Sequence, residues 1–243
     1  KEVNVAIWYI SRADLSAPGN AATLHSRADV EGLRKCGMDI KLLAFATSKE
    51  TVPLNAHEVI ISYRTTFFER LLYEIKIGLL ILFGKKPRFV FFRGPANLLI
   101  IGIILKICRV PFGMELNGVM KYRYSKPVSL LDFIDMATDK FFMRNCEVLI
   151  PVTKELATLC KKESKQHALV RIARNGVNPD EIKPVTAIMQ NKNFVFMIGF
   201  LGKAYHGRGL ELLLKALAHL KQRGMVVGFR AVGGGPMTHF LNE

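Results

Sequence analysis

Residues Phe194–Gly209 read FVFMIGFLGKAYHGRG. The first five form a short apolar run, which predicts a buried strand. The run empties into a glycine-punctuated loop carrying Lys203 and Arg208. Beyond Gly209, Leu210, Leu213, Leu214 and Leu217 recur at helical spacing. Strand, glycine loop, basic residues and helix is the order in which an α/β domain holds a phosphate. Glycines let the backbone come close, and the first turn of the helix leaves N–H groups free. A further strand over 226–232 and the run Gly233-Gly234-Gly235-Pro236 complete a β-α-β unit.

Working back from that unit, the chain alternates strand and helix. A strand is expected over 3–10 and a polar loop over 11–20, ending Pro18-Gly19-Asn20. A helix over 21–35 turns Leu24, Ala28 and Leu33 to one side, and Gly37 stops it. Strands follow at 39–45 and 58–62. The stretch 66–83 is a helix by length and spacing, carrying Phe67, Phe68, Leu71, Leu72, Ile75 and Leu79. Then come strand 88–92, helix 97–109, strand 111–116, helix 128–145, strand 147–152, helix 153–162 with Thr153 as N-cap, and strand 169–173. Residues 174–179 have turn chemistry, and 181–193 lack a clear period and read as a linker. Such alternation implies an α/β, Rossmann-like, mostly parallel sheet with helices on both faces. Ligands of such sheets sit beyond the C-terminal ends of the strands. That edge comprises the loops 11–20, 93–97, 117–120, 174–178 and 202–209.

The chain has 243 residues, half of them apolar, so it carries a real core. Its four cysteines, Cys36, Cys108, Cys146 and Cys160, form no CxxC pair, which argues against a zinc site or disulfide framework. Reduced thiols and a cytoplasmic location are expected, with no signal peptide at the start. The net charge of +15 points to an anionic partner: a phosphorylated ligand, an acidic membrane leaflet or nucleic acid. Nucleic acid is the weakest of these, because no RNP-type strand or zinc-finger spacing is present. No apolar run reaches membrane-spanning length. The expected role of helices 66–83 and 97–109 is burial against the sheet. The other reading is that 66–86, ending in Lys85-Lys86, docks on an anionic membrane surface at the inner face of the membrane.

Several stretches together resemble a family-4 glycosyltransferase of the GT-B fold. GFLGKAYHGRGLELLLKAL resembles the opening of that family's second domain, and RNGVNPDEIKP (174–184) its crossover. AVGGGP (231–236) resembles the Gly-x-Gly-Pro end of the next strand. PGNAATLHSRADVEGLRKCGMDIKLLAF resembles the first loop, helix and second strand of the acceptor domain, and VPFGMELNGV (110–119) the strand and loop beneath the acceptor pocket. Two departures stand out. Asn117 occupies the place where the family commonly has a histidine, and it can hydrogen-bond a sugar but cannot transfer protons as imidazole does. The family's Glu-x7-Glu signature lies downstream of Glu243. The resemblance therefore implies a GT-B N-terminal acceptor-binding domain over 1–184, followed by an incomplete second Rossmann-like domain over 185–243.

The activity implied is transfer of a sugar from a nucleotide-sugar to a cell-envelope glycan or lipid-linked acceptor, hexosyltransferase-like, retaining and metal-independent. No cofactor is called for beyond the nucleotide-sugar co-substrate, and no metal ligand set is visible. Negative charge builds on the departing diphosphate, and fixed positive charge aimed at it lowers the barrier. Lys203 and Arg208, with the backbone of Gly202, are the candidates for that role. Gly19, Asn20 and Arg93 are candidates for the acceptor side, and Glu115 and Asn117 for the catalytic centre. Competing roles are as definite: Gly19-Asn20 as a helix start, Arg93 as a surface strand end, Glu115 as a structural carboxylate paired with a base. His25 and His206 read as surface or core histidines, and Asn175-Gly176 as a turn. Two other functions remain open. One is a non-catalytic acceptor-binding subunit that needs a separate donor-binding half. The other is a Rossmann-like nucleotide or phosphate binder of another class.

Overall fold

The computed structural model describes residues 7–17, 19–48, 54–63, 67–94, 98–118, 130–165, 167–176, 179–180, 183, 196–202, 204, 209–236 and 238. The chain folds as two units, Lys1–Gly176 and Val177–Glu243.

The first unit is built on a seven-stranded parallel sheet. In chain order its elements are β1 (Ile7–Asp14), α1 (Ala21–Lys35), β2 (Ile40–Ala46), β3 (Glu58–Tyr63), α2 (Phe67–Phe83), β4 (Phe89–Arg93), α3 (Leu99–Ile107), β5 (Phe112–Leu116), α4 (Leu130–Asn145), β6 (Val148–Pro151), α5 (Lys154–Glu163) and β7 (Leu169–Val170). The strand order is β3-β2-β1-β4-β5-β6-β7. Successive side chains of a strand point to opposite faces, so the sheet has two cores. One face packs Ile10, Val90, Phe92, Met114 and Leu149 against Tyr73 and Ile77 of α2, Ile101 and Leu105 of α3, and Phe142 of α4. The Phe92 and Phe142 rings meet edge-on with centroids 4.9 Å apart. The other face packs Tyr9, Ile40, Leu42 and Ala44 beneath Val30 and Leu33 of α1. The fold class is therefore the parallel, two-sided α/β arrangement that the alternation implies.

Three local features differ from the sequence expectation. The first strand runs past Ile10 to Asp14, because the polar residues there are satisfied inside the protein. The Ser11 hydroxyl lies 2.7 Å from that of Ser26 on α1, and the Thr23 hydroxyl donates to the Asp14 carbonyl at 2.8 Å. For the same reason α1 buries Thr23, Ser26 and Val30, while Leu24 and Ala28, expected to point inward, are exposed. A bidentate pair from Arg27 to the buried Glu58 carboxylate, at 2.8 and 2.9 Å, ties α1 to β3. The last strand is two residues long rather than spanning 169–173.

Helix α2 departs furthest. It buries Tyr73, Ile77 and Ile81, whereas Phe68, Leu71, Leu72, Ile75 and Leu79 are exposed. The helix packs against the sheet as expected, but through Tyr73, Ile77 and Ile81 rather than through those five. The inward stripe instead follows Tyr73, whose hydroxyl donates to the carbonyls of Ser11 and Leu43, both at 3.0 Å.

The second unit contains β8 (Met197–Leu201), α6 (Leu210–Gln222) and β9 (Gly228–Val232), with β8 and β9 parallel. The loops after both strands are held together by backbone bonds, Gly202 N–H to Val232 C=O at 3.0 Å and Ala204 N–H to Gly234 C=O at 2.9 Å. Gly233 has φ 135°, and a Cβ there would collide with the Gly202 carbonyl. Glycine is required at this position by both backbone conformation and space.

Candidate functional site

The strand order reverses direction between β1 and β4, and ligands of open parallel sheets gather beyond the strand ends at such a switch point. Here that place holds a cluster of buried and half-buried polar side chains. Tyr9 comes from β1, Arg93 ends β4, and Glu115 lies beside Arg93 in register on β5. His25 and Asp29 reach down from α1, one turn apart. Asn20 sets where that helix begins: its side-chain oxygen accepts the Ala22 N–H at 2.9 Å, which makes it the N-cap.

His25 is the hub. Its Nδ1 lies 3.3 Å from Asp29 Oδ1, and its Nε2 lies 3.0 Å from both Glu115 Oε1 and Asn175 Oδ1. The Tyr9 hydroxyl donates to Asp29 Oδ2 at 2.6 Å, with Glu115 Oε2 at 3.3 Å. Asn117 Nδ2 donates to Glu115 Oε1 at 2.6 Å. The bonds to Asp29 and Glu115 push the His25 pKa up to about 10, against the opposing effect of burial. Burial raises the Glu115 carboxyl, but the bonds from His25 and Asn117 and the charges of His25 and Arg93 more than offset it, leaving it below the usual range. Burial, and next the charges of Asp29 and Glu115, push the Tyr9 phenol upward. At neutral pH the cluster is thus an imidazolium between two carboxylates, with a neutral phenol beside them. Such an imidazolium donates hydrogen bonds; it does not accept a proton.

Beneath the cluster, on the α1 face of the sheet, opens a cavity of about 520 Å³. Tyr9, His25, Asp29, Glu115 and Asn175 line it toward the strand C-termini, and Ile7, Ile40 and Phe89 toward the N-termini. The site therefore pairs a polar head with an apolar trough.

The candidate residues read from sequence are placed as follows. Glu115 and Asn117 bond to each other, and Arg93 stands beside them. The Arg93 Nε is buried and has no hydrogen-bond partner among the described residues. Gly19 is exposed with open space where a Cβ would stand, and Asn20 is spent on the helix cap. Gly202 lies in the second unit with φ 144°. Lys203, Arg208 and His206 lie outside the described residues. His25, Asp29, Tyr9 and Asn175 were not among the candidates. The only local signal was the spacing of four between His25 and Asp29 on α1. Asn175, read as a turn residue, contributes its side chain to the cluster. Three potential metal-ligating atoms, one each from His25, Asp29 and Glu115, lie within 4.8 Å of one another, a grouping invisible in the linear sequence. Holding a cation would require His25 to give up its proton, which its two carboxylate bonds oppose.

No protein-family model matches the chain, and no curated relative matches it either. Solved structures do. Anabaena HepE in complex with UDP and glucose superposes with a TM-score of 0.67 at 14% identity, covering 98% of this chain and 64% of that one. The UDP-N-acetylglucosamine 2-epimerase of Rickettsia bellii gives 0.57 at 12% identity, covering 97% and 63%. That of Methanocaldococcus jannaschii, in complex with UDP-GlcNAc and UDP, gives 0.53 at 13%, covering 97% and 67%. The likeness is one of fold. It supports the GT-B-like, Rossmann-like architecture, while family-4 glycosyltransferases as such are not singled out. The chain spans under two thirds of the length of the first two of these proteins.

Proposed function

We propose that this chain belongs to a nucleotide-sugar-dependent glycosyltransferase and that its first unit binds the acceptor. The observation that carries the reading is the His25–Asp29–Glu115–Asn117 cluster with Arg93, set at the switch point of a parallel sheet and opening onto an apolar trough. Carboxylates, amides and a guanidinium are the groups that hold sugar hydroxyls and phosphates. An apolar trough beneath them suits an amphipathic acceptor such as a lipid-linked glycan. The nucleotide-sugar part of the reading is supported by the neighbours, whose structures hold UDP, UDP with glucose, or UDP-GlcNAc. On this reading Gly202, Lys203 and Arg208 of the second unit hold the diphosphate and stabilise its developing charge. Glu115 keeps His25 charged and orients Asn117. Proton acceptance from the acceptor hydroxyl falls to the leaving phosphate rather than to His25.

A second reading is epimerisation of a UDP-sugar, favoured by the fold likeness to two UDP-N-acetylglucosamine 2-epimerases. The two are separated by incubating the protein with UDP-glucose or UDP-GlcNAc, with and without lipid-linked glycan, and following both UDP release and sugar configuration. Transfer predicts UDP release that depends on the acceptor. Replacing Lys203 and Arg208 together by Ala should lower that turnover about 100-fold or more, since each contact to a developing charge contributes roughly 1.5–3 kcal/mol. Arg93→Ala should raise the acceptor KM with a smaller effect on the donor. Acceptor-independent inversion of configuration at one carbon of the UDP-linked sugar would replace the transfer reading with the second one.

A further inference from the structure

Helices α2 and α3 lie side by side on the outside of the first unit. They approach so closely that a Cβ at Gly78 would stand 2.5 Å from the Ile104 side chain. Their inward faces are accounted for by the core. Their outward faces are also apolar. On α2, Leu72, Ile75, Leu79 and Phe83 recur at helical spacing and are 50%, 39%, 48% and 83% exposed. On α3, Ile103 and Ile107 continue the surface at 42% and 71%. A surface helix of a water-facing protein normally turns polar residues outward. Contiguous apolar surface of this kind marks a place where something binds.

Toward its C-terminal end the charge is of one sign, while Glu69 and the buried Glu74 lie in the N-terminal half of α2. From Ile75 to Met114 the sequence has seven basic residues and no acidic one. All but Arg93 lie in α2 or α3 or in the loops that follow them: Lys76, Lys85, Lys86, Arg88, Lys106 and Arg109. In a parallel sheet the connecting helices run opposite to the strands, so the C-terminal ends of α2 and α3 share one edge. Five of the six cations gather there. Cations near a helix C-terminus complement the helix dipole, but that does not explain the bare apolar stripe between them. A parallel two-fold pairing of this face would bring the cations together, which disfavours that arrangement of a second copy. An apolar stripe edged by Lys and Arg matches an interface of acyl chains beneath anionic headgroups.

We propose that the α2–α3 face docks on an anionic phospholipid surface, with the two helices lying in the plane of the interface. Leu72, Ile75, Leu79, Phe83, Ile103 and Ile107 enter the acyl boundary, and the cations hold lipid phosphates. No helix among the described residues is long and apolar enough to cross the membrane. The attachment is therefore peripheral, and α2 keeps its inner face in the core. The proposal stands apart from the sugar-transfer reading, since its test uses neither donor nor acceptor.

The test is co-sedimentation of the protein with vesicles of phosphatidylcholine alone and of equimolar phosphatidylcholine and phosphatidylglycerol. The expected result is recovery with the anionic vesicles that weakens as salt is added. Lys85→Glu with Lys86→Glu should weaken it about tenfold or more, because each cation near such a surface contributes appreciably. Phe83→Asp should weaken it in both low and high salt. All three positions are exposed, and unchanged thermal melting of the variants confirms that folding is retained. Equal recovery with both vesicle types, or none with either, overturns the proposal. So does a lipid-free dimer that Phe83→Asp dissociates, since that would show a second copy to be the occupant.

Discussion

At the scale of single residues, the molecule turns on His25. An isolated imidazole gives up its proton near pH 6.5, but this one faces a carboxylate on each side. Its ring resonances in NMR should therefore not titrate until about pH 10. Glu115→Gln removes one of the two carboxylate charges and should bring that midpoint down, while Asn117→Ala should move it less. His25→Gln should destabilise the fold by about 1.5–3 kcal/mol, the usual cost of losing a hydrogen bond to a charged group. A ring titrating near its ordinary value would show that the cluster does not form in solution. Glu115 itself was legible as a candidate because it sits between apolar residues near the end of a strand. Asn117, two residues on, was legible with it, but its partners His25 and Tyr9 were not, since they lie 90 and 106 residues away in the chain.

At the scale of elements, local pattern placed the helices and strands well and oriented the helices poorly. The bounds of α1 match the expected 21–35, because Asn20 caps its start and Gly37, with φ 84°, ends it. Both signals are local. Which face turns inward is not local. In α1 the inner positions go to Thr23 and Ser26 because β1 supplies hydrogen-bond partners there, and Leu24 is left outside. In α2 apolar residues fall on every side of the helix, so periodicity carries little directional information, and packing against the sheet and α3 decides. Glycine behaves differently, because its requirement is steric and reads directly. Gly233→Ala places a Cβ against the Gly202 carbonyl in a backbone conformation that L residues rarely adopt. It should cost about 1–3 kcal/mol and separate the two loops at the ends of β8 and β9. The check is a denaturant midpoint together with amide exchange at Gly202 and Ala204, whose bonds span those loops.

At the scale of the whole molecule, the buried ionisable groups set how stability depends on pH. His25 has its folded pKa raised, to about 10 from 6.5, by its carboxylate partners. Its stabilisation is complete below pH 6.5 and is lost as pH rises through 10. Glu74, raised to about 7 from 4.5 by burial, is stabilising below 4.5 and loses that contribution as pH rises through 7. Glu115 and Asp14 act the other way. Both are lowered, so their contributions are present above the ordinary carboxylate range and fade as pH falls. Stability should therefore decline from mildly acidic to alkaline pH. Urea midpoints at about pH 5.5 and 9.5 should show this decline, and His25→Gln should flatten its alkaline part. A midpoint that rises across that range would contradict the assignment.

The sequence by itself determined the alternation of strands and helices, and with it the parallel two-sided sheet and the glycine-built β-α-β unit. These follow from hydrophobic spacing, caps and glycine conformations, which act over a few residues. It also marked the strand C-termini as the edge where a ligand is expected, since chain direction in a parallel sheet fixes where loops gather. Only the tertiary structure decided which side chains meet there. Tyr9, His25, Asp29, Glu115 and Asn175 come from four places in the chain, and each gains its charge state or its hydrogen bonds from the others. The structure alone also showed the outer faces of α2 and α3 to be apolar and exposed, because the sheet can cover only one side of a helix with apolar residues on both.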